Sequence, residues 1–333
     1  MKAVIPAAGQ GTRLYPQTHT RPKPMVRVAG KPILGHILDG FRDTQVDEIV
    51  VVVGVMREHV EEYVTAEYGE EFEIVFAEQA TAEGLGHCIY QAQDHVVDEP
   101  ICIALGDMLF DSGYGEFLDA HSDLDGVDGS IGVKYVDDPT SYGVVSTADG
   151  VVDQLVEKPS DPTSNIAISG VYIIEDTATL FDALQHLIDN DIRGAGSEYQ
   201  LTDALQRMVE GGAAFGTFSV ADWYDCGRPE TLLDANRVLL DKSDETSAEA
   251  TSGMLIQPVD IGSGVTIERS VVGPHVSVDD GATIRDSRVR DSIVGRNAAL
   301  SSVNASDTIV GEDAVVEQSP MQLNVGDSSE VEL

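Results

Sequence analysis

The residues of this 333-residue chain that could do chemistry begin directly after its first apolar run. Lys2-Ala3-Val4-Ile5 leads into Ala7-Ala8-Gly9-Gln10-Gly11-Thr12-Arg13-Leu14, and Arg21-Pro22-Lys23-Pro24-Met25 follows. Glycines let backbone N–H groups approach phosphate oxygens closely, and Arg13 and Lys23 would neutralise phosphate charge. The chain holds 58 Asp and Glu against 20 Lys and Arg, yet no acid precedes Asp39, whereas Lys2, Arg13, Arg21, Lys23, Arg27 and Lys31 all do. A cationic glycine loop cleared of acid, in a chain of net charge -38, is the pattern of a polyphosphate site. It lacks the Lys-Ser/Thr of a P-loop and the third glycine of a dinucleotide fingerprint.

Elements must position this loop. Up to about residue 125, short β-branched runs alternate with amphipathic stretches, which predicts an α/β domain: a Rossmann-like mixed, mostly parallel sheet with helices on both faces. Strands are expected at Ala3–Ile5, Glu48–Val53, Phe72–Phe76 and Ile101–Leu105. Helices are expected after Pro32, up to about Tyr68, and over Gly84–Val96. From Ser130 the texture is richer in strands, with Ile131–Val136, Val144–Ser146, Val151–Val156 and Ala167–Ile174, and Pro229–Leu240 closes the domain as a helix. Residues 241–253 read as an acidic linker. Beyond it, Ser270-Val271-Val272-Gly273, Ser292-Ile293-Val294-Gly295 and Thr308-Ile309-Val310-Gly311 mark a period of six. That period favours a short parallel β-helix over 254–318 rather than a loose β-sandwich, with a tail at 319–333 that frays.

Composition sets further bounds. A surface this acidic is unsuited to nucleic acid. No apolar run approaches the roughly 18 residues of a membrane span, and the N-terminus has no signal-peptide pattern, so the expected location is the cytoplasm. No Lys or Arg lies between Arg57 and Lys134, and self-repulsion at this density points to a halophilic chain that needs salt screening. Cys88, Cys102 and Cys226 form neither a metal pattern nor a disulfide framework. The histidines are not spaced for metal, no Ser-His-Asp set is evident, and His19, His36 and His87 read as polar fillers.

Taken in order, the blocks resemble those of the sugar-1-phosphate nucleotidyltransferases. The opening is similar to their GxGTRL…KPM signature, and Glu78-Gln79 before Gly84-Leu85-Gly86 resembles their base-reading segment. Leu105-Gly106-Asp107, Tyr142-Gly143-Val144, Glu157-Lys158-Pro159, Gly170-Val171-Tyr172 and Trp223-Tyr224-Asp225-x-Gly227 resemble the rest, over roughly residues 1–240. The tail is similar to that of the long-form glucose-1-phosphate thymidylyltransferases, which implies a left-handed β-helix. Members commonly have Asn where this chain has Met108 and Ala where it has Gly86, and His87-Cys88 follow.

The resemblance implies transfer of a nucleotidyl group from a pyrimidine triphosphate, dTTP favoured and UTP the alternative, to a hexose-1-phosphate, glucose-1-phosphate favoured. Pyrophosphate leaves, and an NDP-sugar for glycan biosynthesis forms. The nucleotide side would comprise Ala8, Gly9, Gly11, Thr12, Gln79 and Gly84, where the Gln79 amide can pair with the N3–H and O4 edge of a pyrimidine. The sugar side would comprise Tyr142, Gly143, Glu157, Tyr172 and Trp223, the two last being an aromatic wall or simply core, with Lys158 on the sugar phosphate. Arg13, Lys23 and Lys158 would carry the catalysis. Asp107, at the end of a buried strand where open α/β sheets bind ligands, and Asp225 would hold Mg²⁺, which takes one or two carboxylates plus phosphate oxygens and water. A homo-oligomer is expected. A silent regulatory subunit is the first alternative from another class, and intact Arg13, Lys23, Asp107, Lys158 and Asp225 argue against it. The second is a bifunctional enzyme whose β-helix transfers an acyl group, which needs roughly ten coils where this tail has room for a few.

Overall fold

The structure, a computed structural model, describes residues 1–9, 11–96, 98–243, 252–319 and 322–331. Gln10 and most of the expected linker lie outside the described residues. The chain divides into two compact units, Met1–Arg27 with Lys31–Leu232, and Val28–Gly30 with Leu233–Leu333. The last two-thirds of the closing helix is thus grouped with the tail.

In the first unit, β1 (Lys2–Pro6) is followed by the short β2 (Arg27–Val28) and β3 (Lys31–Pro32), α1 (Ile33–Asp39), β4 (Glu48–Val53), α2 (Arg57–Tyr68) and β5 (Glu73–Glu78). Then come α3 (Leu85–Tyr90), α4 (Gln93–Val96), β6 (Ile101–Ala104), β7 (Met108–Phe110) and α5 (Tyr114–Ser122). β1 is flanked in parallel by β4 and β6, and β4 by β5. Ala3, Val4, Ile5, Ile49–Val52 and Ile101–Ala104 are all fully buried. Continuous apolar runs of this kind are what a sheet covered on both faces requires.

The second half adds β8 (Gly129–Tyr135), β9 (Gly143–Ala148), β10 (Val151–Glu157) and β11 (Ile166–Ile174), with α6 (Thr177–Asp189), α7 (Leu201–Glu210), β12 (Phe215–Ser219), β13 (Trp223–Asp225) and α8 (Pro229–Lys242). β11 joins the sheet antiparallel to β6 and also pairs with β8 and β9. The mixed α/β architecture is therefore as expected. The stretch 84–96 is two short helices rather than one, because Gln91 and Ala92 bond back three residues, to the carbonyls of Cys88 and Ile89. Among the described residues no helix is long and apolar enough to cross a membrane.

In the second unit, short strands stack in parallel rows: β14 (Val259–Ile261), β15 (Val276–Val278), β16 (Ser292–Val294) and β17 (Ile309–Val310) form one of them. Val259, Val276, Val294, Ile267, Ile284, Leu300 and Val289 fill the interior. This curled parallel sheet matches the expected β-helix, but a coil is not three even hexads. Val259 lies opposite Val276, seventeen residues on, and Val276 opposite Ser292, sixteen on. The corners are tight because one residue at each adopts positive φ, as in the series His275, Asp291, Asp307 (57°, 46°, 52°) and Gly281, Asn297, Asp313 (70°, 55°, 56°). Gly, Asn and Asp are the residues that tolerate this conformation best.

Candidate active site

β1 delivers the glycine loop to the carboxyl edge of the sheet, and the loop's Thr12–Leu14 turn carries Arg13. A second turn, Lys23–Met25, carries Lys23, whose side chain is almost wholly buried (6% exposed). Asp107 follows β6 at the adjoining edge. Asp225 comes from 118 residues further along the chain, and strand pairing brings it in: β13 runs antiparallel to β7, with Asp225 opposite Met108, and the Cys226 N–H donates to the Asp107 carbonyl at 3.0 Å.

The Lys23 ammonium donates to Asp107 Oδ2 and lies 3.9 Å from Asp225 Oδ1. Lys23, Asp225 and Arg13 meet over Gly227, and Asp107 joins them through Lys23. A methyl on that glycine would stand 2.6 Å from Asp225 Oδ1, 3.2 Å from Lys23 Nζ and 3.3 Å from Arg13 Nη2. Two cations and two carboxylates from four separate segments thus share one small volume. Buried Cys226 lies beneath them, its thiol pushed up by burial.

Beside this cluster a cleft of about 540 Å³ is lined by Ala8, Gly9, Gly11, Thr12, Lys23, Gln79, Gly84 and Asp107. Eight of the residues expected from the sequence therefore face one cavity. The cleft also takes lining from Leu85, inside the expected base-reading block, from Cys88 just after it, and from Glu198, to which the sequence reading gave no role. The segment 198–200 is present because it pairs with the glycine-rich turn: Tyr199 N–H donates to Glu83 O at 2.8 Å, and Gly86 N–H donates to Tyr199 O at 2.8 Å.

The residues expected on the sugar side form a second group that does not line this cleft. Glu157 Oε1 pairs with Lys158 Nζ at 3.0 Å, and Oε2 accepts from Thr202 Oγ1 at 2.7 Å. Oε2 also lies 3.0 Å from where a methyl on Gly143 would be, so Gly143 keeps room beside the carboxylate. Lys158 adopts φ 43°, its N–H donates to Tyr142 O at 3.0 Å, and its side chain is about half exposed. The Tyr142 and Trp223 rings are 5.6 Å apart, and Trp223 begins the strand that ends in Asp225, which ties this group to the acid pair. Tyr172 stands apart. It is 4% exposed within the main core, and burial, with the Glu157 charge second, holds its phenol well above the ordinary range. Thr202, which orients Glu157 from the first turn of α7, is a residue the sequence reading missed.

Residues 2–242 match the family described as Nucleotidyl transferase. The chain belongs to that family. The low-salt glycan biosynthesis nucleotidyltransferase Agl11 of Haloferax volcanii is 31% identical over 366 residues, covering 100% of both chains. A glucose-1-phosphate thymidylyltransferase of Streptomyces antibioticus is 29% identical over 362 residues, covering 100% of this chain and 99% of its own. Among solved structures, a UDP-glucose pyrophosphorylase complexed with UDP-glucose superposes with a TM-score of 0.62 at 25% identity, covering 73% of this chain and 99% of that one. As a nucleotidyltransferase of sugar-1-phosphates, the chain needs a triphosphate site, a sugar-phosphate site and a place for charge where they meet.

The fit of a divalent cation can be judged from the acid pair. Asp107 and Asp225 already share one positive charge, the Lys23 ammonium, and both offer hard carboxylate oxygens of the type that Mg²⁺ takes. Among the described residues no group of three or more His, Cys, Asp or Glu gathers, so phosphate oxygens and water would have to supply the remaining ligands.

Proposed function

We propose that this nucleotidyltransferase uses dTTP and glucose-1-phosphate, that its glycine-loop cleft receives the triphosphate, and that the Glu157–Lys158 group receives the sugar phosphate. The observation that carries the reading is the convergence of Arg13, Lys23 and Asp225 over Gly227, with Asp107 joined through Lys23, between the two groups of residues. End-to-end alignment with a thymidylyltransferase, tail included, supports dTTP. Similarity to a UDP-glucose pyrophosphorylase supports UTP as the second reading, since thymine and uracil differ by a methyl worth only about 1–3 kcal/mol in a pocket.

In this reading an oxygen of the sugar-1-phosphate attacks the α-phosphorus in line. A P–O bond forms, the bond to the β-phosphate breaks, and pyrophosphate leaves. The attacking monoester is mostly dianionic at neutral pH, with a second pKa of about 6, and needs no general base. Arg13 and Lys23 offset charge on the triphosphate, Lys158 holds the sugar phosphate, and Glu157 accepts from sugar hydroxyls. Catalysis then rests on positioning and electrostatics. Mg²⁺ held by Asp107 and Asp225 would add positive charge at the phosphates.

A pyrophosphate-release screen of five triphosphates against several sugar-1-phosphates tests the substrate pair. Lys23→Ala or Asp107→Ala should lower turnover at least about 10²-fold with folding retained. Near-normal release by either variant refutes the site. The chain is also proposed to be a cytoplasmic homo-oligomer assembled through its tail, and a chain ending at Asp241 that keeps its oligomeric state in size-exclusion would refute that role for the tail.

A further inference from the structure

The turn after Gly84 runs on through Gly86-His87-Cys88, and in the fold the His87 ring contacts the Gln79 amide. Gln79 is buried (6% exposed) and follows β5. Its amide nitrogen makes two contacts, to Gly84 O at 3.2 Å and His87 Nδ1 at 3.0 Å. A carbonyl oxygen can only accept, so it is the nitrogen of the amide that faces Gly84. With both N–H bonds committed to these partners, the one atom of the Gln79 amide left for a ligand is Oε1, an acceptor, so of the expected N3–H and O4 pair the amide can meet N3–H but not O4.

Gln79 donates to Nδ1 in the His87 tautomer that carries its proton on Nε2, and Nε2 faces Glu83 Oε2 at 3.6 Å. Gln91 Nε2 lies 3.2 Å from that ring nitrogen and donates to His87 O at 3.1 Å. The other groups around the ring are Tyr199, at 6.3 Å between centroids, and Arg193, which pairs with Glu83 at 2.9 Å.

We propose that His87 is the positioning residue that fixes which end of the Gln79 amide meets the base, and thereby selects uracil and thymine over cytosine. Uracil and thymine present an N–H at N3, which Oε1 accepts. Cytosine presents a lone pair at the same atom, and two acceptors then face each other. Cytosine has nearly the size of uracil, so shape alone would not reject it. This inference rests on the reading that Gln79 contacts the base.

The test is kcat/KM for UTP and CTP in the full-length chain, for wild type, His87→Leu, His87→Gln and Gln79→Ala. Loss of one of the two hydrogen bonds that hold the amide should lower the UTP:CTP ratio about three- to tenfold in His87→Leu. His87→Gln, whose side-chain oxygen can accept from Gln79, should return the ratio to near wild type. A merely structural role for His87 would lower both rates and leave the ratio where it was. His87→Ala serves the same comparison if the leucine variant folds poorly. An unchanged ratio in His87→Leu and His87→Ala, with the ratio lost in Gln79→Ala, overturns the role of His87 and keeps the base contact. An unchanged ratio in Gln79→Ala overturns the base contact itself.

Discussion

Gly227→Ala is the sharpest probe of the convergence at the candidate active site, because it adds a single methyl at the point where three of the four groups meet. The new carbon would lie 2.6 Å from Asp225 Oδ1, 3.2 Å from Lys23 Nζ and 3.3 Å from Arg13 Nη2. Optimal carbon contacts begin at about 3.5 Å, so the Asp225 oxygen must retreat by roughly 0.9 Å and the two cations by about 0.2–0.3 Å. A misplacement near 1 Å costs on the order of 10²-fold in rate, equivalent to about 2.7 kcal/mol of barrier. The Asp225 side chain is about a quarter exposed and can yield toward solvent, which puts the folding cost at the low end of the overpacking range, about 1 kcal/mol. The assay is the initial rate of pyrophosphate release at saturating substrates, with urea unfolding of the same preparation. The expected result is a kcat lower by on the order of 10²-fold with a near-normal unfolding midpoint. A kcat within about threefold of wild type would refute the claim that these four groups act as one catalytic unit.

Three further outcomes follow from other parts of the chain. Asn236 is fully buried on α8, where its side chain accepts from Ala29 N–H at 2.9 Å and Ser277 Oγ at 2.6 Å and donates to His275 O at 3.3 Å; Asn236→Ala should cost about 2–3 kcal/mol in chemical unfolding, and a loss under about 0.5 kcal/mol would refute it. Burial, then the charge of Glu157, pushes the Asp203 carboxyl up. An acid whose native pKa is raised destabilises once ionised, so the penalty is present at high pH and vanishes as pH falls through that value; Asp203→Asn should raise Tm at pH 8 and lose the advantage toward about pH 4, and a pH-independent difference would show that charge is not the cause. Raising KCl from about 0.1 M to 1 M shortens the screening length from about 10 Å to 3 Å, so Tm should climb with salt in a chain of net charge -38, whereas a flat curve would dismiss self-repulsion.

Much of the site was legible because its residues sit in short local blocks. The acid-free opening, Gln79 before Gly84, and Asp107 at the end of a buried strand are each visible within a few residues. What spacing alone did not show depends on pairing between distant segments. Asp225 was expected with Asp107 through the family resemblance, and it is the β13–β7 ribbon that brings the two together; Thr202, which was not foreseen, reaches Glu157 across 45 residues. Tyr199 joins the glycine turn only through backbone hydrogen bonds, which leave no trace in side-chain type. The β-helix was legible as a family of Val-Gly steps, but its coil length was not. The sixteen- and seventeen-residue spacing is set by tight corners such as Asp291 and Asp307, and a plain Asp carries no mark of positive φ.

Those corners also govern how such a tail can change length. Each row of strands is in register only if every circuit of the chain returns after sixteen or seventeen residues, as Ala299 returns to Val315. A deletion of five or six residues would shift every later strand out of the row it pairs with, so that it no longer stacks on its partner one circuit earlier. Gain or loss of a whole circuit would leave every other contact intact. Variation in the tail is therefore stepwise, and a C-terminal stack of this kind lengthens or shortens by whole circuits.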